Sequence, residues 1–387
     1  MELKTLVKNN KIVFYIYYYV MSLLVNILKI FVKPERELIL FVSYGGRFFN
    51  DSPKCIYEEM LKDKRFKGYK LVWAFENPNN FNLKTPMVRI NTFAYFKTAL
   101  KASCWVTNTV VERGLNFKGK NTFYLHTTHT ALPKLMGHDD IDSGSFALPC
   151  EFKYSCSCAQ SEEEARMQKS MFHLKEEQVL VSGYPKNDIL CNVSESTRLE
   201  LRQKLGIPND KKAILYAPTY RDIKFGTMKC PINFKKWEKI LGEDYIILFR
   251  AHPVVANETV LDTSTGFMID VSSYQDNTDI IIASDILISD YSGIFFEYGI
   301  QEKPMFCFAY DYEDYIKSRA LYFDIRDLIP GGHLDEEHLL TFVKEHSDDY
   351  GVNLQLQIFK EKYISTYGNA TQICVDKIFN SIKDNLS

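Results

Sequence analysis

The feature that most constrains this chain is an alternation that occurs twice. Short apolar runs, "LILFVSY" (38–44), "KLVWAF" (70–75), "CWVTNTVV" (104–111), "TFYLHT" (122–127) and "YSCSCA" (154–159), are separated by stretches such as "PKCIYEEMLKDKRF" and "FAYFKTALKAS". The runs read as buried strands and the stretches between them have helical periodicity. Strands alternating with helices make parallel sheets covered on both faces. A second series begins near Lys211 with "KKAILYAPTYRD" and continues through "YIILFRAHP", "GFMIDVSS", "DILISDYSG" and "KPMFCFAYD". Between the two, "VLVSGYPKNDIL" (179–190) reads as a strand entering a turn, and "SESTRLELRQKLGIPNDKK" as a helix and a linking turn. A chain of 387 residues suits two domains of ordinary size. The expectation is an α/β protein of two doubly wound, Rossmann-like halves facing a cleft and joined near residues 190–210.

The N-terminus adds a third element. From Ile12 to Val32 the chain reads "IVFYIYYYVMSLLVNILKIFV", with Lys4, Lys8 and Lys11 before it and Lys33 and Arg36 after. Ser22, Asn26 and Lys29 interrupt the run, and no small-residue cleavage site follows it. A spanning helix needs about 20 apolar residues, so this segment is borderline in length and compromised by Lys29. Its tyrosines and basic flanks suit a helix lying on anionic lipid; the first core helix of a soluble domain is the alternative. The formal charge of -2 gives no general attraction to nucleic acid, so any anion site is local. Nine cysteines, spread singly apart from Cys156 and Cys158, show neither zinc spacing nor a disulfide frame. Reduced thiols in a cytosolic compartment are the expectation.

In sheets of this kind ligands bind beyond the carboxyl ends of the strands, and the polar clusters fall there. "YLHTTHTALPKLMG" (124–137) puts His126 and His129 at one strand end; Thr219, Tyr220 and Arg221 follow "AILYAP". Arg250 and His252 alternate in "RAHP", and Asp290, Tyr291 and Ser292 follow "ILIS". At "ISDYSGIFFEYGI" a strand ends and a helix begins near Ser292, with Gly293 allowing close backbone approach; free N–H groups there suit a phosphate. Glu297, one turn in, has the reach for ribose hydroxyls. Against that stands a plain helix cap by Asp290 or Ser292. Arg250 and His252 suit phosphate oxygens, or a histidine satisfied by backbone groups. Thr219 and Arg221 present themselves similarly, or Arg221 pairs with Asp222. "GYPKND" reads as a turn with Lys186 in solvent.

The ordered set "H…K..G", "GYPKND", "APTYRD", "RAHP" and "SDYSG" resembles the CDP-glycerol glycerophosphotransferase family, which builds teichoic acids and related capsule polymers. The resemblance runs from "FVSYGGRFFNDSPKCIYEEM" (41–60) through "KLVWAFENP" (70–78) to "SDYSGIFFEYG" (289–299). It implies a GT-B-like fold: a membrane-associating segment over 1–36, an acceptor half over 37–190, a nucleotide-donor half over 191–370 and a C-terminal helix over 371–387. It also implies a catalytic base. The family histidine stands in a His-Gly-Thr-Pro-Leu-Lys segment, and spacing aligns His129 with it and Lys134 with the lysine. His126 has no match and is read as structural. The segment departs from the family pattern, because Thr130-Ala131-Leu132 follow His129 and Pro133 lies one place late.

The activity so implied is transfer of glycerol phosphate, or a related alditol phosphate, from CDP-glycerol or a related CDP-alditol. The acceptor would be a lipid-linked glycan or polymer at the cytoplasmic face of the membrane, and CMP would be released. A neutral imidazole takes the proton of the acceptor hydroxyl. Lys134, Arg221, His252 and the helix start at Ser292–Gly293 neutralise phosphate charge, with Thr219, Arg250, Asp290 and Glu297 completing the donor site. No metal and no cofactor is expected. Two other functions fit the same cleft: a GT-B sugar transferase using a UDP- or other nucleotide-sugar, and a non-catalytic membrane-bound module binding polymer or nucleotide. Pocket shape sets alditol length, so glycerol and ribitol both remain open.

Overall fold

The computed structural model describes residues 10–128, 132–140, 152–219, 232–251, 265–349 and 353–384. Seven strands, β1 (Glu35–Val42), β2 (Lys70–Phe75), β3 (Met87–Arg89), β4 (Ala102–Thr107), β5 (Phe123–His126), β6 (Cys156–Ala159) and β7 (Val179–Val181), form one sheet. Their order is β3-β2-β1-β4-β5-β6-β7, parallel throughout. Five more, β8 (Lys212–Ala217), β9 (Tyr245–Phe249), β10 (Met268–Asp270), β11 (Ile286–Ser289) and β12 (Met305–Cys307), form a second parallel sheet in the order β10-β9-β8-β11-β12. The α/β reading of two doubly wound sheets therefore holds.

Twelve helices run through the described residues: α1 (Lys11–Phe31), α2 (Asp51–Lys62), α3 (Phe93–Lys101), α4 (Glu162–Phe172), α5 (Glu195–Leu205), α6 (Phe234–Leu241), α7 (Asn277–Ala283), α8 (Ile294–Tyr298), α9 (Tyr312–Ser318), α10 (Glu336–Glu345), α11 (Leu354–Tyr363) and α12 (Ala370–Asp384). Central strands carry apolar side chains on both faces, as a sheet between helix layers requires. On one face of β1 and β2, Phe41 and Phe75 stack on Trp73, with Tyr57 of α2 edge-on to the indole. The last helix, α12, returns to this first sheet: Cys374, Val375, Ile378 and Ile382 join the core formed by Ile39, Phe41, Val106 and Leu125.

Some strands stop before their apolar runs do. β4 ends at Thr107, because Asn108 and Thr109 turn their side chains to cap the exit of β1: Asn108 Oδ1 accepts from Tyr44 N at 2.8 Å and Thr109 Oγ1 from Gly45 N at 3.2 Å. β3 has no apolar run to announce it; it is a three-residue edge, held by register with β2. In "GYPKND" the chain leaves β7 through Gly183, whose φ of 77° and closeness to Thr366 O leave no room for a side chain.

Helix α1 lies against the first half through the very residues that break its apolar run. Tyr18, Ser22 and Val25 are buried. Ser22 Oγ accepts from Asn116 N at 3.0 Å, Asn26 Nδ2 donates to Asn116 O at 2.7 Å, and Lys29 Nζ to Lys118 O at 3.1 Å. The opposite face exposes Ile12, Ile16, Tyr19, Val20, Leu23, Ile27, Ile30 and Phe31. An apolar outward face, with Ser22, Asn26 and Lys29 tied to the protein beside Tyr18 and Val25, departs from the pattern of a surface helix in water.

Candidate active site

The two sheets present polar residues at the carboxyl ends of their strands, and the chain between β7 and α5 carries the contacts that join them. Gln160, after β6, donates to Phe296 O of α8 at 2.7 Å, and Asn187 Nδ2 donates to Gln160 Oε1 at 3.0 Å. Nearby, Lys186 Nζ sits 2.9 Å from Glu297 Oε1 in the second half and 3.5 Å from Asp51 Oδ2 in the first. Tyr44 completes the group, donating its hydroxyl to Asp51 Oδ2 at 3.0 Å. The side chains of Lys186, Asp51 and Glu297 are only 13%, 5% and 14% exposed. Burial opposes the ammonium charge, but Asp51, Glu297 and Tyr44 outweigh it and hold Lys186 well above its ordinary value. Burial, then Asp51, pushes the Tyr44 phenol up.

Local backbone strain gathers at the same place. Tyr44 and Asp51 both adopt left-handed φ, at 46° and 63°. Such residues cost about 1–3 kcal/mol each and persist where the surroundings over-determine them. Here Asn108 and Thr109 pin the turn after β1, and Asp51 Oδ1 accepts from Ser52 N at 2.7 Å to start α2.

In the second half, Asp290 is buried at the end of β11, where its Oδ1 accepts from Thr219 N at 2.8 Å and from Tyr291 N at 2.7 Å. One carboxylate thus fixes the exits of β8 and β11 side by side. Ser292 Oγ accepts from Ile294 N at 3.3 Å, and Gly293 leads into α8, a helix of five residues. Arg250 points its guanidinium at Val271 O (2.9 Å) and Tyr274 O (3.0 Å), and burial pulls its pKa below the usual arginine range. Glu297 accepts from Asn277 Nδ2 at 3.3 Å besides meeting Lys186.

Three of the sequence-derived candidates, His129, Arg221 and His252, lie outside the described residues. His129 follows directly on Thr127 and Thr128, both buried at the end of β5. Further along, Lys134 pairs antiparallel with Leu321, flanked by Leu135 N to Ala320 O (3.0 Å) and Tyr322 N to Pro133 O (2.8 Å). Residues 133–135 are therefore held against the second half. His126 belongs to the core: its ring stacks on Tyr154 at 4.0 Å and its Nδ1 lies 3.1 Å from Ser157 Oγ.

Asp51, Tyr44 and Lys186 were not among the sequence candidates. Asp51 precedes Ser-Pro at a helix start and reads as an ordinary cap; its left-handed φ and its contacts with Tyr44 and Lys186 distinguish it. Asp188 was equally unmarked, yet its two carboxylate oxygens accept from Ala370 N at 2.9 Å and Thr371 N at 2.7 Å, capping α12. Among the described residues no three His, Cys, Asp or Glu side chains converge to hold a metal ion.

Residues 24–380 match the family described as CDP-glycerol:poly(glycerophosphate) glycerophosphotransferase. A teichoic acid poly(glycerol phosphate) polymerase of Staphylococcus epidermidis is 33% identical over 376 residues, covering 91% of this chain and 52% of the relative. A teichoic acid glycerol-phosphate transferase of Staphylococcus aureus is 29% identical over 374 residues, covering 89% and 94%. The chain thus spans about half the length of the first relative and nearly all of the second. A solved structure of the wall teichoic acid polymerase TagF superposes with a TM-score of 0.83 at 29% identity, covering 97% of this chain and 98% of that one. A variant of TagF soaked with CDPG gives 0.80 at 30%, with the same coverage.

Proposed function

Because the chain belongs to the CDP-glycerol:poly(glycerophosphate) glycerophosphotransferase family, we propose that it transfers glycerol phosphate from CDP-glycerol to a membrane-linked glycan or polymer. The observation that supports this reading is likeness across both halves: 97% of the chain aligns with TagF, so both sheets lie within the match. In the proposed step an acceptor hydroxyl oxygen attacks the glycerol-bearing phosphorus. The bond from that phosphorus to the bridging oxygen breaks, CMP leaves, and the hydroxyl proton passes to His129. Lys134 stands five residues after His129 in sequence and pairs with Leu321 of the second half. Arg221, His252 and the backbone at Ser292–Gly293 would neutralise the pyrophosphate, and Asp290 would keep Thr219 beside them. Arg250, held by Val271 O and Tyr274 O, and Glu297, held by Lys186 and Asn277, would shape the nucleotide pocket from behind.

The same reading places the protein peripherally on the cytoplasmic face of the membrane. Helix α1 supports it, since its outward residues are apolar and its polar ones are spent on the protein. A donor screen tests the function. With an acceptor-bearing membrane fraction, CDP-glycerol should yield CMP. Release from CDP-ribitol instead would change the alditol, release of UDP from a UDP-sugar would favour a sugar transferase, and no turnover of any donor would leave a binding module.

A further inference from the structure

At the C-terminal foot of α1 four lysines gather round the segment 116–120. Lys29 of α1 donates to Lys118 O at 3.1 Å, and Lys153 donates to Asn116 Oδ1 at 2.6 Å. Asn26 holds the same segment through Asn116 O at 2.7 Å. Lys118 is half-buried beside them and Lys120 is exposed. Among the described residues none of the four is ion-paired. The carboxylate that reaches them, Glu112, is buried, accepts from Tyr124 OH at 2.9 Å and is pushed up by burial. Burial and then the neighbouring ammoniums, Lys153 and Lys120, pull Lys29 down; burial and then Lys153 and Lys29 do the same to Lys118, against the attraction of Glu112. Four clustered ammoniums facing one buried carboxylate repel one another, although Lys29 and Lys153 each also hold the segment through a hydrogen bond.

Directly beside the cluster, Ile30 and Phe31 are each 78% exposed. A ligand that satisfies both features carries a phosphate head and an apolar tail. We infer that Lys29, Lys118, Lys120 and Lys153 form a binding site for the headgroup phosphate of an anionic membrane phospholipid. The inference rests on the membrane reading above and extends it: the apolar face of α1 supplies depth, and the lysines supply lipid selectivity. It also assigns a role to residues far from the N-terminus in sequence.

The test is co-sedimentation of the full chain with vesicles of phosphatidylcholine alone, and of phosphatidylcholine mixed with phosphatidylglycerol. The wild type should bind both and favour the anionic vesicles. Lys118→Gln with Lys153→Gln should lower partition to the anionic vesicles about 30-fold, the effect of two lysines near a charged surface, and leave neutral binding unchanged. The control pair Lys239→Gln with Lys344→Gln, in the second half, should bind as wild type. An unchanged preference in the Lys118/Lys153 variant overturns the site, as does an equal loss in the control, which would reduce the effect to net charge. Wild-type binding without anionic preference overturns it while leaving membrane docking intact. Failure of the wild type to bind either vesicle removes the docking itself and the site with it.

Discussion

Without the Lys186 ammonium, Asp51 and Glu297 would face each other across the two halves with no cation between them. Breaking one member of a largely buried ion group costs about 3–5 kcal/mol, because the remaining charges stay desolvated. Lys186→Met should therefore lower the urea midpoint sharply, and adding Glu297→Gln should restore part of the loss. A midpoint unchanged by Lys186→Met would mean that the triad does not join the halves. In sequence this lysine looks like a solvated turn residue, since its partner Glu297 stands 111 positions away and no spacing rule links them. Glu164 makes a second residue-scale prediction. Burial raises its pKa above the ordinary 4.5, although Tyr184 OH and Gln160 N both donate to it. A raised carboxyl favours the fold below its unfolded value and loses that contribution as pH rises through the folded one. Stability measured from pH 4 to 8 should thus fall more in wild type than in Glu164→Gln; parallel profiles would contradict the shift.

Among the elements, the long central strands were legible because a buried parallel strand needs nothing beyond a continuous apolar run. β3 was not, since two half-buried residues and an exposed arginine at an edge leave no periodic signal. The far ends of the β1 and β4 runs misled in the opposite direction: side chains of suitable strand type were taken for the turn that pins Tyr44 and Gly45. Helix α1 was legible as a segment, but the role of Ser22, Asn26 and Lys29 was not. They read as defects in an apolar helix, whereas two of them hold Asn116 and the third Lys118. Charging the outward face tests what that helix does. Ile16→Glu with Leu23→Glu should move most of the protein from the membrane pellet to the supernatant with its fold intact, because both residues are over half exposed. Continued sedimentation of the folded variant would contradict docking through α1.

Over the whole molecule, the two-sheet plan followed from the doubled strand–helix alternation, while the return of α12 to the first sheet did not. Its cap, Asp188, and its core contacts are meaningful only once the halves are assembled. Motif order and spacing single out His129 and Lys134 for the proposed catalysis; of that segment, Pro133 to Leu135 pair with Ala320 to Tyr322 of the second half. For the proposed transfer, a base on the acceptor side must meet a donor at the carboxyl ends of the second sheet. The most direct measurement is acceptor-dependent CMP release from saturating CDP-glycerol, compared between wild type and a folded His129→Ala variant. The expected result is robust release by the wild type and a kcat about 10²–10⁴-fold lower in the variant, with donor KM nearly unaltered. Near wild-type release by His129→Ala, or none by the wild type itself, would contradict the account.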